Sequence, residues 1–236
     1  MTCILLTGSS RGIGAAAKSA LEARGAKVIG QATSSDRTDT VPADFSEPFA
    51  ARELWDAALA RAGGTIDVLV NNAGRFVASP LDASDMQWLD AWEDTLRINL
   101  TAAAQLSRFA VQHWQERKVS GRIVHVASRA GHRGDSPAHW HYAASKGGML
   151  AMHKSIARAY AGENILSFAI TPGFTDTAMA GDYLESRGGP GLLADIPLGR
   201  VAEPEEIAKL IEFCALDAPA SMTGATLDAN GASYVR

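Results

Sequence analysis

Apolar positions along the chain fall into two alternating kinds of run. Short continuous runs are apolar at most positions: CILLT (3–7), AKVIGQA (26–32), IDVLVN (66–71), RIVHVAS (122–128), ILSFAI (165–170) and ATLDA (225–229). Between them lie longer segments with apolar residues spaced i, i+3, i+4: GIGAAAKSALEARG, PFAARELWDAALARAG, a stretch from about Asp85 to Lys118, and YAASKGGMLAMHKSIARAYAG. The first kind predicts strands buried on both faces, the second amphipathic helices. Their alternation predicts an α/β fold: a doubly wound parallel sheet flanked by helices on both faces. The order continues over 1–236 without a composition break, a low-complexity tract or a repeat, so a single domain is expected.

Two segments interrupt the alternation. Only the polar residues TSSDRTDT (33–40) separate the second run from VPADF, which is too short for a crossover helix and predicts a loop or a single turn. The segment 179–197, MAGDYLESRGGPGLLADIP, carries Gly188, Gly189 and Gly191 and predicts an irregular surface loop with the backbone freedom a substrate lid needs.

Composition narrows the classes. A chain of 236 residues, 47% hydrophobic and 20% charged, buries a core without disulfide staples. Cys3 and Cys214 lie far apart among apolar neighbours, so reduced, buried thiols and a cytoplasmic location are expected. The opening MTCILLTG has no basic region and too few apolar residues for a signal peptide, and no stretch is long and apolar enough to span a bilayer. A net charge of −4 with mixed signs points away from nucleic acid and anionic lipid as partners.

The candidate chemistry begins at TGSSRGIG (7–14), which follows the first strand and opens the first helix. Gly8 allows a sharp turn, Gly12 removes a side chain where a ligand would approach, and Gly14 lets the helix pack closely. Free N–H groups at the helix start favour a phosphate, so the stretch reads as a dinucleotide-binding loop. The second strand ends in GQATSS (30–35), with no carboxylate for a ribose 2′-hydroxyl before Asp36. Hydroxyls from Thr33 and Ser34 and positive charge from Arg11 and Arg37 suit a 2′-phosphate, so NADP(H) is favoured. NAD(H) stays open if Asp36 turns back to the ribose. Further along, Tyr142 and Lys146 lie i, i+4 on one helix face. An ammonium beside a phenol lowers its pKa and makes a tuned general acid and base. The small residues Ala143, Ala144, Gly147 and Gly148 are expected to let a ligand lie against that helix.

With these motifs assembled, the sequence resembles the short-chain dehydrogenase/reductase family, most closely its 3-oxoacyl-acyl-carrier-protein reductase-like members. TGSSRGIG, NNAG (71–74), Ser128 ahead of YAASK (142–146) and PGFTDT (172–177) occur in the family's order, and ATLDANGASYV resembles its closing strand. The resemblance implies a Rossmann-type sheet of about seven strands, the seventh a short one near Val41. It implies NAD(P)(H)-dependent interconversion of a carbonyl and a secondary alcohol by hydride transfer. In that scheme Tyr142 is the proton donor or acceptor, Lys146 lowers its pKa and holds the nicotinamide ribose, Ser128 binds the substrate oxygen, and Asn99 supports a proton relay. It implies cofactor contacts from Gly8, Ser10, Arg11, Gly12, Ile13 and Gly14, from Thr33 and Ser34, from Asp44 and Phe45, from Asn72, Ala73 and Gly74, from Tyr142 and Lys146, and from Pro172, Gly173, Thr175 and Thr177. It also implies a homotetramer or dimer. Two features depart from the family pattern: fourteen residues separate Ser128 from Tyr142, and the loop RAGHRGDSPAHWH between them is unusually polar and aromatic.

Two other functions fit the same motifs: an NAD-dependent alcohol dehydrogenase, and a dinucleotide-binding sensor without catalysis. The four chemical residues argue against the second. His132, His139, His141 and Asp135 cluster in sequence, but a solvated loop or a pocket wall explains them better than metal ligation, and no metal is expected. Trp140 reads as a pocket wall or a subunit contact, Trp88 and Trp92 as helix packing, and His113, His125 and His153 as structural or exposed.

Overall fold

The computed structural model describes residues 1–34, 39–177 and 189–236. Seven strands form one parallel sheet: β1 (Cys3–Leu6), β2 (Lys27–Ala32), β3 (Thr40–Pro42), β4 (Val68–Asn71), β5 (Gly121–Val126), β6 (Ile165–Pro172) and β7 (Thr226–Ala229), in the order β3-β2-β1-β4-β5-β6-β7. The short strand expected near Val41 is β3. The chain winds outward from β1 to β3, then returns to β4 on the other side of β1. Loops leaving β1 and β4 therefore diverge and open a crevice at their carboxyl ends.

Alternation explains why the strand runs read as continuously apolar. In β1, Cys3 and Leu5 enter one core while Ile4 and Leu6 enter the other. In β4, Leu69 joins the first, and Val68 and Val70 the second. The first core is closed by α2 (Ala50–Ala62), α4 (Ala102–Arg117) and α6 (Trp140–Tyr160) through Leu54, Trp55, Leu106, Phe109 and Ile156. The second is closed by α1 (Gly12–Ala23) and the C-terminal helix α8 (Pro204–Glu212) through Leu21, Ile207 and Ile211. Pro204 begins α8, where its missing N–H costs nothing, and a reciprocal Glu203–Glu206 cap satisfies the first turn.

The 85–118 stretch is not one uniform helix. It is α3 (Asp85–Leu96), a π-helical turn (Arg97–Thr101) and α4, and the π turn carries Asn99. A four-residue helix α5 (Ala130–Arg133) lies between β5 and α6. The crossover after β2 and the lid candidate are only partly covered: Asp36, Arg37 and residues 179–188 lie outside the described residues. The rest of the lid candidate contains a short helix, α7 (Gly189–Ala194), and the buried Ile196.

Candidate active site

A cavity of about 1010 Å³ opens at the carboxyl ends of the strands. It is lined by every predicted cofactor-binding residue, from Gly8, Ser10, Arg11, Gly12, Ile13 and Gly14 through Thr33, Ser34, Asp44, Phe45, Asn72, Ala73 and Gly74 to Pro172, Gly173, Thr175 and Thr177, and by Ser128, Tyr142 and Lys146. Asn99 is fully buried beneath it.

The glycine loop is built by close approach. Gly8 has φ +65°, and its N–H donates to Gln31 Oε1 at 2.7 Å. A Cβ on Gly14 would lie 1.9 Å from the Gly8 carbonyl oxygen, so Gly14 allows α1 to start directly under the loop. Its role is contact with the loop more than with the sheet. A Cβ on Gly12 would lie 2.9 Å from Thr177 Cγ2, which brings the strand β6 loop against the glycine loop across the cavity mouth. Asn72 Nδ2 ties β4 to the same place by donating to the Thr7 and Gly8 carbonyls at 2.9 and 3.1 Å. The first turn of α1 holds no acidic residue, leaving its N–H groups available to an anion.

At the other end, Ser128 and Tyr142 meet because α5 can lie on α6. A Cβ on Gly131 would strike the Lys146 backbone at 2.8 Å. Ser128 Oγ, which accepts from Ala130 N–H at 3.1 Å, lies near enough to the Tyr142 hydroxyl to pull its pKa down. The expected effect of Lys146 on the tyrosine is not what the structure shows. The Lys146 ammonium donates to the Val126 carbonyl at 2.9 Å and lies 5.8 Å from the Tyr142 ring centroid. Burial pushes the phenol up to about 12, against a smaller downward pull from Ser128, and burial brings the ammonium down to about 8. Desolvation of both groups outweighs their mutual attraction. A second expectation also needs correcting. Gly147 packs on the Gly131 carbonyl and Gly148 on Leu100, and neither these nor Ala143 and Ala144 line the cavity. Gly147 and Gly148 admit neighbouring elements, not a ligand.

Asn99 is committed to structure. Its Oδ1 accepts from Arg75 N–H at 2.8 Å, and its Nδ2 donates to the Arg75 carbonyl at 3.0 Å and to Ser145 Oγ at 3.1 Å. Ser145 Oγ in turn donates to the Tyr142 carbonyl at 2.7 Å. The chain Arg75–Asn99–Ser145–Tyr142 clamps the π turn and the NNAG loop to the first turn of α6. With both amide N–H groups used, a part for Asn99 in proton relay falls to its backbone.

Several cavity residues escaped the sequence reading: Gln31, Arg75, Phe76, Arg129, Arg133, Phe174 and Asp195, while Asp135 lines the cavity as a pocket wall. Gln31 lay in view at the end of β2, but its hydrogen bonds to Gly8 and to the Ala43 carbonyl, both 2.7 Å, depend on tertiary structure. Phe76 stands edge-on to Tyr142, centroids 4.7 Å apart, and is stacked by His139 at 4.1 Å. His139 thus sits behind the pocket wall, not in it. His132 stacks on Tyr234, His141 pairs with the Val77 carbonyl, and Trp140 is exposed. Trp88 and Trp92 stack on each other, and His113, His125 and His153 are buried.

Comparison with known proteins agrees with this geometry. The family model described as Enoyl-(Acyl carrier protein) reductase matches residues 8–231. The 3-oxoacyl-(acyl-carrier-protein) reductase FabG of Escherichia coli K12 is 35% identical over 98% of this chain and 96% of its own. Nodulation protein G of a Rhizobium species is 34% identical over 96% and 94%. Among solved structures, a short-chain type dehydrogenase/reductase from Mycobacterium marinum superposes with a TM-score of 0.90 at 25% identity, covering 100% of this chain and 96% of its own. A candidate 2-deoxy-d-gluconate 3-dehydrogenase from Agrobacterium tumefaciens with bound NADP gives 0.87 at 26%, covering 100% and 97%. With the parallel sheet, the glycine loop and the Ser–Tyr–Lys set in one cleft, these matches show that the chain belongs to the short-chain dehydrogenase/reductase family of oxidoreductases.

Proposed function

We propose that the protein reduces the carbonyl of a small molecule to a secondary alcohol with NADPH. The observation that carries this reading is that Ser128, Tyr142 and Lys146 line the same cavity as the glycine loop. A dinucleotide fits the loop, because the cradle under Gly8 and Gly14 leaves no room for a Cβ and the first turn of α1 offers unopposed N–H groups. Arg11, Thr33 and Ser34 line the cavity with a guanidinium and exposed hydroxyls, the donors a 2′-phosphate needs. Asp44 lines the same cavity, with its Oδ1 held by Ser46 N–H and Ser46 Oγ–H. The NADP in the Agrobacterium structure and the oxoacyl reductase names of the curated relatives support the same choice.

When bound, the reduced nicotinamide supplies a hydride. Ser128 donates a hydrogen bond to the substrate oxygen, and Tyr142 gives that oxygen its proton as the carbonyl carbon is reduced. Lys146 and the 172–177 loop hold the nicotinamide end. Residues 1–236 act as one dinucleotide-binding unit in this reading, with strands drawn from residue 3 to residue 229. Exposed Met86 and Leu89 on α3 support a homo-oligomer, a dimer or tetramer, which light scattering after size exclusion would measure. The buried free thiols Cys3 and Cys214 suit the cytoplasm.

The test is NADPH oxidation with a panel of ketones and oxo esters for wild type and Tyr142→Phe. The variant should bind NADPH normally and lose at least about a hundredfold in kcat, the scale of general acid catalysis. Equal NADPH and NADH affinity, unchanged by Arg11→Ala, would overturn the cofactor assignment.

A further inference from the structure

We propose that Gln31 is a positioning residue for the cofactor: it holds the glycine loop and the segment 43–45 in one arrangement, so that the two grip a dinucleotide together. This rests on the NADPH reading above and deepens it. Gln31 stands one residue past the register pair Leu6–Gly30, where β1 leaves the sheet for the glycine loop. It is only 2% exposed, yet it lines the cavity. Its carbonyl accepts from Ser9 N–H at 2.9 Å and from Ser9 Oγ at 3.1 Å. Its Oε1 accepts from Gly8 N–H and its Nε2 donates to the Ala43 carbonyl, both at 2.7 Å. A Cβ on Gly30 would lie 2.3 Å from Ser9 Oγ, so a glycine at that position lets Ser9 close onto Gln31.

Packing alone does not call for this residue. An apolar side chain of the same length would fill the space, and a buried amide costs free energy unless both of its ends are paired. Here the partners fix which way the amide points, because a backbone N–H only donates and a carbonyl only accepts. The amide thus spans two segments, one 23 residues before it in the chain and one 12 residues after it. Gly8 on one side and Asp44 and Phe45 on the other are walls of the same cavity. Gly8 sits at φ +65° with its N–H occupied by Gln31, which leaves a phosphate to the N–H groups that open α1. Without the amide the loop and the 43–45 segment lose their common anchor, and the cost of ordering them is subtracted from cofactor affinity. The chemistry lies elsewhere. In the sheet, β1 and β4 stand between β2 and β5, the strand that leads to Ser128. Gln31 therefore acts on binding and not on the proton or hydride steps.

The experiment compares wild type with Gln31→Met, which keeps the length of the side chain and removes both of its bonds. Fluorescence titration gives the NADPH dissociation constant, calorimetry that of adenosine 2′,5′-bisphosphate, and steady-state kinetics separate KM from kcat. Both ligands should bind at least about tenfold more weakly to the variant, the worth of one to two hydrogen bonds. KM for NADPH should rise by the same factor, while kcat at saturating NADPH moves by less than about twofold. A merely structural Gln31 would lower the urea midpoint and leave both dissociation constants of the folded protein unchanged, and that result would overturn the proposal. So would a loss in kcat at unchanged KM. Should Gln31→Met not fold, hydrogen exchange of the cofactor-free wild type decides: a Gly8 amide protected at least about tenfold over the free-peptide rate supports the anchor, and exchange at the free-peptide rate refutes it. A wild type that binds no dinucleotide brings down the cofactor reading and this proposal together, whereas equal binding by wild type and variant brings down this proposal alone.

Discussion

Acid should dismantle this protein from β5, the strand that leads to Ser128. His125, on β5, is fully buried, with Asn71 Nδ2 3.4 Å from its Nδ1 and the His153 ring 5.9 Å away. Its Nε2 has no partner among the described residues. Burial first, then the nearby His153 and Lys146, holds its pKa down at about 3 from an ordinary 6.5. Between those values the unfolded chain binds a proton at this site and the folded chain does not. Stability is therefore complete above pH 6.5 and is lost as pH falls toward 3. The slope is about 1.4 kcal/mol per pH unit, roughly 2 kcal/mol by pH 5 and near 5 kcal/mol for the whole window. That is a large share of the roughly 5–15 kcal/mol that holds an ordinary domain together. His153, also buried and depressed, adds in the same direction. His125→Gln removes the titration and leaves a polar group for Asn71. Urea unfolding at pH 7, 6, 5 and 4.5 should show a stability slope shallower by about 1.4 kcal/mol per unit in the variant. Equal slopes, or an imidazole of the folded protein seen by NMR to titrate near 6.5 at this position, would refute the reasoning. Because the adjacent Val126 carbonyl anchors Lys146, activity should fall over the same acid range.

Three further outcomes are expected. Gly14→Ala places a Cβ 1.9 Å from the backbone oxygen of Gly8, so the loop must move; NADPH affinity, read by fluorescence titration, should drop by about tenfold or more while circular dichroism is preserved. Gln31→Met strips the partners of the Gly8 N–H and the Ala43 carbonyl, and urea unfolding should report a loss of about 1–3 kcal/mol. Lys146 titrates at about 8 when folded, below its ordinary 10.5, so between those values the folded state binds fewer protons and stability should rise with pH; Lys146→Met should remove that rise in thermal melts.

What could be read from residues alone follows how local each signal is. The strand runs and helix spacings are local, and the elements appear where the pattern puts them, with ends shifted by a residue or two. The glycine loop, NNAG and the Tyr142–Lys146 pair are also contiguous, and the parallel topology is enough to bring them to one crevice. The π turn at Asn99 was hidden because its residues keep helical spacing. Its cause lies in the Asn99 bonds to Arg75, 24 residues earlier, and to Ser145, 46 residues later. Gln31, Arg129 and Phe76 were missed for the same reason: each acts through a partner brought near only by the sheet. The roles of Gly147 and Gly148 were misread because a small residue on a helix serves a ligand or a neighbouring helix equally well until the neighbour is known.

The correction to the Tyr142–Lys146 pair bears on the direction of the reaction. A phenol held near 12 is protonated throughout the physiological range. It is ready to give a proton to a carbonyl oxygen and poorly suited to take one from an alcohol. Lys146 donates to the Val126 carbonyl, and its attraction for a phenolate is outweighed by the cost of burying both groups. Reduction starts from the protonation state already present. The same burial that sets this state also seals the Ser145–Asn99 clamp under the tyrosine, so the proton donor is positioned before a substrate arrives. The arrangement thus fits the reductase reading proposed above, with Tyr142 carrying at neutral pH the proton a carbonyl oxygen needs.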